Sequence, residues 1–154
     1  MGQGAWTDLV SEDLESMFPH LARSAYAITS PSTPEYNCIA WAAGDAERWW
    51  WPLAGSFAYW PSNVPVQETL DAFIKAFGTL GFIPCADQHM EHGYEKVALY
   101  VDENGKLTHA ARQLPNGQWT SKLGRGKDIE HELEGVTGSV YGSVAQVLKR
   151  PINE

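Results

Sequence analysis

The chain has 154 residues, enough for one domain with a sizeable core, and its 44% hydrophobic and 19% charged residues are a globular composition. A formal net charge of −8 argues against nucleic acid and anionic membrane surfaces as partners, because no basic stripe is available to neutralise phosphates or headgroups. No run approaches the roughly 20 apolar residues of a bilayer span, and Met1 to Trp6 have neither the basic nor the apolar region of a secretory signal. These features predict a cytoplasmic protein, with export independent of a signal peptide left open. Residues 1–154 read as a single domain, without linker, repeat or low-complexity tract.

Residues 1–35 read as an N-terminal cover. Ser11-Glu12-Asp13 starts a helix that ends by Phe18, because Pro19 follows. Ala25 to Thr29 read as a short strand and Ser30 to Pro34 as a loop. Residues 36–44 read as a short helix with Asn37 as N-cap, Cys38 in its first turn and Gly44 as its stop. Ile39 to Ala43 are apolar on every side, which predicts a buried helix. Arg48-Trp49-Trp50-Trp51-Pro52, with Phe57, Tyr59 and Trp60 behind it, carries four of the seven tryptophans. This segment reads either as a loop pinned by aromatic anchors or as the wall of a groove, with Trp49, Trp50 and Trp60 as the groove candidates.

Residues 66–80 form the clearest helix, with Leu70, Phe73, Ile74 and Phe77 at helical spacing. Phe82 to Pro84 read as a brief strand, and Cys85 beside it as a buried structural thiol. An antiparallel meander is expected over 95–124. Its strands are Lys96 to Val101, Lys106 to Leu114 and Gln118 to Leu123, joined at Asn104-Gly105 and Asn116-Gly117 as two-residue turns. Asp128 to Leu133 read as a helical turn, and Tyr141 to Lys149 as strand or helix. The fold class expected is α+β, a small antiparallel sheet packed on the Cys38 helix and the 66–80 helix.

Two cysteines are not a disulfide framework in a chain this long. A thiol at a helix N-terminus is favoured as the nucleophilic thiolate, while a lone Cys in an apolar helix also reads as core packing. Of the five histidines, His109 alone falls inside a predicted central strand. Two-residue turns place it opposite Tyr100 on one side and Gly124 on the other, with Thr120 on its face. A single bulge brings in Ser121 instead. Cys38 and His109 are thus the candidate nucleophile and base, expected as a thiolate–imidazolium pair. Thr120, Gln113 or, through the bulge, Ser121 is the candidate orienting group, and Asn37 with the Cys38 N–H supplies oxyanion candidates. No cofactor and no metal are expected: His89 and His92 lie in a polar loop, and His131 lacks the second His of a zinc-peptidase helix.

The Cys-bearing helix followed by an antiparallel sheet that carries His resembles the papain-like cysteine hydrolases. Asn37-Cys38-Ile39-Ala40-Trp41-Ala42 is similar to the nucleophile segment of CHAP-type amidases. Lys96 to Val101, Asn104-Gly105 and Thr108-His109-Ala110 resemble the sheet of NlpC-type cell-wall peptidases. In that pattern the base heads the first strand, where this chain has Lys96. Taken from His109 onward, the two strands resemble the His strand and the Asn strand of papain, with Thr120 or Ser121 in place of Asn. The resemblance implies a cysteine-dependent hydrolase of an amide bond in a peptide or protein substrate, working through an acyl-enzyme. The alternative is the same fold without catalysis, a protein- or ligand-binding module that uses its Trp-rich surface.

Overall fold

Seven antiparallel strands carry the fold among the described residues, which in this computed structural model are 11–30, 36–45, 47–52, 58–123 and 128–152. The strands are β1 (Tyr26–Ser30), β2 (Ile83–Cys85), β3 (Tyr94–Val101), β4 (Leu107–Gln113), β5 (Trp119–Lys122), β6 (Asp128–His131) and β7 (Ser143–Pro151). They pair in the order β1-β6-β5-β4-β3-β7-β2. Three α-helices, α1 (Ser11–Met17), α2 (Cys38–Ala42) and α3 (Leu70–Gly78), and 3-10 turns at Pro19–Arg23 and Leu133–Val136 complete it. The α+β class expected from the sequence is present, with a larger sheet. Of the loop expected over Ser30 to Pro34, Ser30 instead ends β1, where it pairs with Asp128, and 31–34 lie outside the described residues, as do residues 1–10 of the cover, Phe57 and Gly124.

Strand alternation divides the core in two. On one face Val97, Leu99, Ala110 and Leu148 pack with Cys38, Ile39, Ala40 and Ala42 of α2 and Phe73 and Phe77 of α3. Small side chains on both sides, Ala40 and Ala42 against Ala110, let the helix lie close to the strand. On the other face Ala98, Tyr100, Ala111, Trp119 and Ile129 pack with Leu14, Phe18 and Leu21 from the N-terminal segment and with Leu133, Val136 and Tyr141.

The meander is the part most legible in the sequence, yet both its turns are longer than expected. Asp102 N–H donates to Lys106 O at 2.9 Å, closing a three-residue turn. A bulge then absorbs the extra residue, so Tyr100 still faces His109 as expected. The second turn closes through Leu114 N–H to Gln118 O at 2.7 Å. Pro115 has no N–H with which to close the shorter loop, and Gly117 takes the left-handed position at φ +89°. Here no bulge compensates, and Arg112 rather than Gln113 faces Thr120. That one-residue slip exchanges the faces of β5. Thr120 therefore leaves the His109 face and Ser121 takes its place.

Three further expectations are corrected. Residues 128–131 are a strand, not a helical turn, because β6 supplies backbone partners to both β5 and β1. Helix α3 starts at Leu70 rather than at 66. Glu68 O accepts from Leu107 N at 3.2 Å, which ties the preceding backbone to β4, and Thr69 caps the helix through Ala72 N–H. Cys85 is half-buried rather than buried. The segment 143–151, open between strand and helix, is β7, paired to β3 along its length.

Candidate functional site

Helix α2 is a single turn held at both ends. Asn37 Oδ1 accepts from Ala40 N at 3.1 Å and also from Trp50 N at 3.1 Å, and Asn37 Nδ2 donates to Trp50 O at 2.8 Å. Asn37 is therefore the cap expected, and its amide is tied to Trp50 through both Oδ1 and Nδ2. At the far end Asp45 N–H reaches Ala40 O at 2.8 Å around Gly44, whose φ is +85°.

Cys38 sits in the first turn with 8% of its surface exposed. Burial pushes its thiol up to about 11, against the lowering effect of the Ala110, Ile39 and Cys38 N–H groups and the charge of Lys122. The thiolate expected from the helix terminus is thus reversed: one turn of dipole is outweighed by desolvation.

His109 lies fully buried against the other core. Its ring stacks on Tyr141 at 3.9 Å between centroids and 7° between planes. Strand alternation separates it from Ala110, which packs with Cys38, and no hydrogen bond joins thiol and imidazole. Burial, reinforced by the nearby His131, holds the His109 pKa well below its ordinary 6.5. Burial thus disfavours the charged form of each group, and no hydrogen bond joins them as the expected thiolate–imidazolium pair.

The hydrogen bonds of His109 assign its tautomer. His131 Nδ1 lies 2.6 Å from Glu132 O, a carbonyl that only accepts, so Nδ1 carries the proton. Burial lowers the His131 pKa to about 4, so the ring is neutral and Nε2 is a bare acceptor. Ser121 Oγ, 2.6 Å away, donates its proton to that Nε2. Ser121 Oγ then accepts from His109 Nε2 at 2.9 Å. The proton of His109 is thereby fixed on Nε2, and Nδ1 presents a lone pair. That atom is buried and has no hydrogen-bond partner. Buried polar atoms are nearly always paired, so this one calls for an explanation.

Ser121, reached in the sequence only through a bulge, is the group that orients His109. Thr120 instead accepts from Trp41 Nε1 at 3.1 Å on the α2 side of the sheet. His131 is missed by the sequence reading; the signal for it is strand alternation, which places His131 on the same face as Ile129 once residues 128–131 are read as a strand. Lys96 is buried and donates to Asp87 O at 2.7 Å and His89 O at 2.8 Å.

The aromatic segment is largely an anchor. Trp50 is 2% exposed and donates through Nε1 to Asp45 at 3.0 Å. Trp51 and Trp60 pack edge-on against Phe73 with centroids 5.4 and 5.0 Å away, and Trp49 is half-buried. Trp50 is therefore core and not groove wall. Among the described residues no group of three His, Cys, Asp or Glu is placed to hold a metal, and no helix is long and apolar enough to cross a membrane.

A family model described as a domain of unknown function (DUF7689) matches residues 27–149. No curated protein and no solved structure matches the chain.

Proposed function

The chain belongs to the DUF7689 family, a domain of unknown function, and from its own geometry we propose that it is a papain-like cysteine hydrolase of an amide bond. The observation that carries this reading is the unpartnered Nδ1 lone pair of His109, held in that tautomer by Ser121 and His131. At neutral pH this lone pair is unprotonated and so open to a proton, although burial weakens it as a base until substrate changes its surroundings. The order of the parts along the chain also supports it: Cys-bearing helix, His strand, then a strand whose hydroxyl orients the imidazole.

That burial disfavours the charged form of both groups points to a general-base route rather than a preformed ion pair. Cys38 Sγ bonds to the amide carbonyl carbon as His109 Nδ1 takes the thiol proton. The C–N bond breaks as His109 returns that proton to the leaving amine, and water then hydrolyses the thioester. The Cys38 and Ala110 N–H groups near the sulfur are the donors for the oxyanion. Cys38 packs in the core on the α2 side and His109 stacks on Tyr141 of the other core, so this route requires the two groups to be brought together when substrate enters, and the alkylation test below reads that coupling directly.

The burial of both groups favours a second reading, a binding module in which Cys38 is core and the His109 chain is structural. Alkylation of Cys38 by iodoacetamide separates the two, in a Cys85→Ser background so that one thiol reports. If His109 is the base, folded protein is alkylated at neutral pH, and His109→Ala slows the reaction about a hundredfold or more. Ser121→Ala, which frees the tautomer, slows it in the same direction. Equal rates in all three, rising with pH toward the thiol value of about 11, sink the hydrolase and leave the binding module.

A further inference from the structure

A cavity of about 500 Å³ lies between the segment 90–95 and the end of β4, away from Cys38 and His109. Arg112 lines one side of it. Its guanidinium sits 4.6 Å over the ring of Trp41, which Thr120 fixes through the indole N–H. The guanidinium makes no hydrogen bond and no ion pair with any described residue, and its Nε is buried without a partner. A half-buried cation left in this state is costly; Trp41 beside it and the longer-range charges of Glu95 and Asp128, neither within ion-pair distance, offset only part of that cost.

The other charges around the cavity are already matched. Glu91 pairs with Lys149 at 3.1 Å and with Lys96 at 3.4 Å, and Glu95 pairs with Arg150. Arg112 is therefore the cation with capacity to spare, despite two carboxylates in the wall. The rest of the wall is apolar in an unusual way. Met90 at 52% and Ile152 at 48% are two of the large hydrophobic side chains left most exposed, and both line this cavity together with Tyr94. A planar, unpaired guanidinium beside exposed apolar side chains matches a ligand that carries a carboxylate next to an aliphatic or aromatic group.

We propose that this cavity binds a small amphipathic carboxylate, with Arg112 taking the carboxylate in a two-pronged hydrogen bond and Met90, Tyr94 and Ile152 covering its apolar part. The site is independent of any chemistry at Cys38.

The test uses the whole chain and two probes that differ only in charge, N-acetyl-L-leucine and N-acetyl-L-leucinamide, followed by amide chemical shifts in a titration. The acid is expected to give saturable shifts around Met90, Tyr94, Arg112 and Ile152. The amide is expected to bind at least about tenfold more weakly, the factor that corresponds to about 1.4 kcal/mol. Arg112→Gln should bring the acid down to the affinity of the amide while leaving the amide unchanged. Should Arg112→Gln not fold, Met90→Asp at the exposed rim serves instead, and it should weaken the acid more than the amide. Equal binding of acid and amide, saturable shifts elsewhere on the surface, or no saturable shift across the millimolar range would each overturn the proposal.

Discussion

Asn37 is where the sequence next to the candidate nucleophile does most of its structural work. One side chain satisfies Ala40 N–H, Trp50 N–H and Trp50 O, all in buried surroundings. It therefore caps α2 and fastens the aromatic segment to it at the same time. Asn37→Ala leaves three backbone groups unpaired, and at roughly 1 kcal/mol or more each the expected loss is about 3 kcal/mol. Urea denaturation of the variant checks this; a loss under about 0.5 kcal/mol, the size of an ordinary surface substitution, would mean that the bonds add nothing to the folded state. Cys38 and Asn37 were legible as a capped helix start because capping depends on residues three apart. The thiol's ionisation was not, because it depends on what packs over the sulfur from β4.

Elements meet most tightly where β7 begins. Gly142 has φ +79°, and a Cβ placed there would lie 1.9 Å from Val101 O. The contact is backbone on both sides, and Val101 is paired to Ser143 across the ladder, so neither strand can yield without breaking pairs. The preceding residue, Tyr141, is the ring on which His109 stacks. Gly142→Ala is expected to cost about 3 kcal/mol or more, the upper end for backbone strain combined with overpacking. Gly105→Ala is the control: its φ is +80° but the added carbon meets open space, so only the left-handed penalty of about 1 kcal/mol applies. Paired thermal melts compare the two, and equal losses would remove the steric argument. At this scale the hairpins were legible from Asn-Gly, while their loop lengths were not. Pro115 and the bulge at Thr108 decided them, and the identity of the residue beside His109 followed from that count.

For the molecule as a whole, the two buried imidazoles make stability depend on acid. His131 is neutral in the fold, with its pKa lowered from 6.5 to about 4. Above pH 6.5 folded and unfolded states hold the same protons at this group, so its full contribution is present. Between pH 6.5 and about 4 the unfolded chain takes up the proton first and stability falls. The gap of about 2.5 pH units corresponds to a loss of about 3 kcal/mol, at 1.36 kcal/mol per unit. His109, whose pKa lies well below 6.5 for the same reason, acts in the same direction. Urea midpoints at pH 7 and pH 4.5 should therefore differ, and His131→Gln should flatten much of the difference; a wild type with equal midpoints would mean that the imidazoles are not buried neutral. The sequence by itself determined the α+β class, the capped Cys38 turn and the α3 stripe, since each follows from spacing within a few residues; Tyr100 faces His109 because a longer turn and a bulge cancel. Only the tertiary structure decided which face of β5 meets His109, that His131 rather than a neighbour in sequence completes its hydrogen-bond chain, and that burial disfavours the charged forms of Cys38 and His109. Those outcomes depend on strand register and on burial, and both are set by segments far apart in the chain.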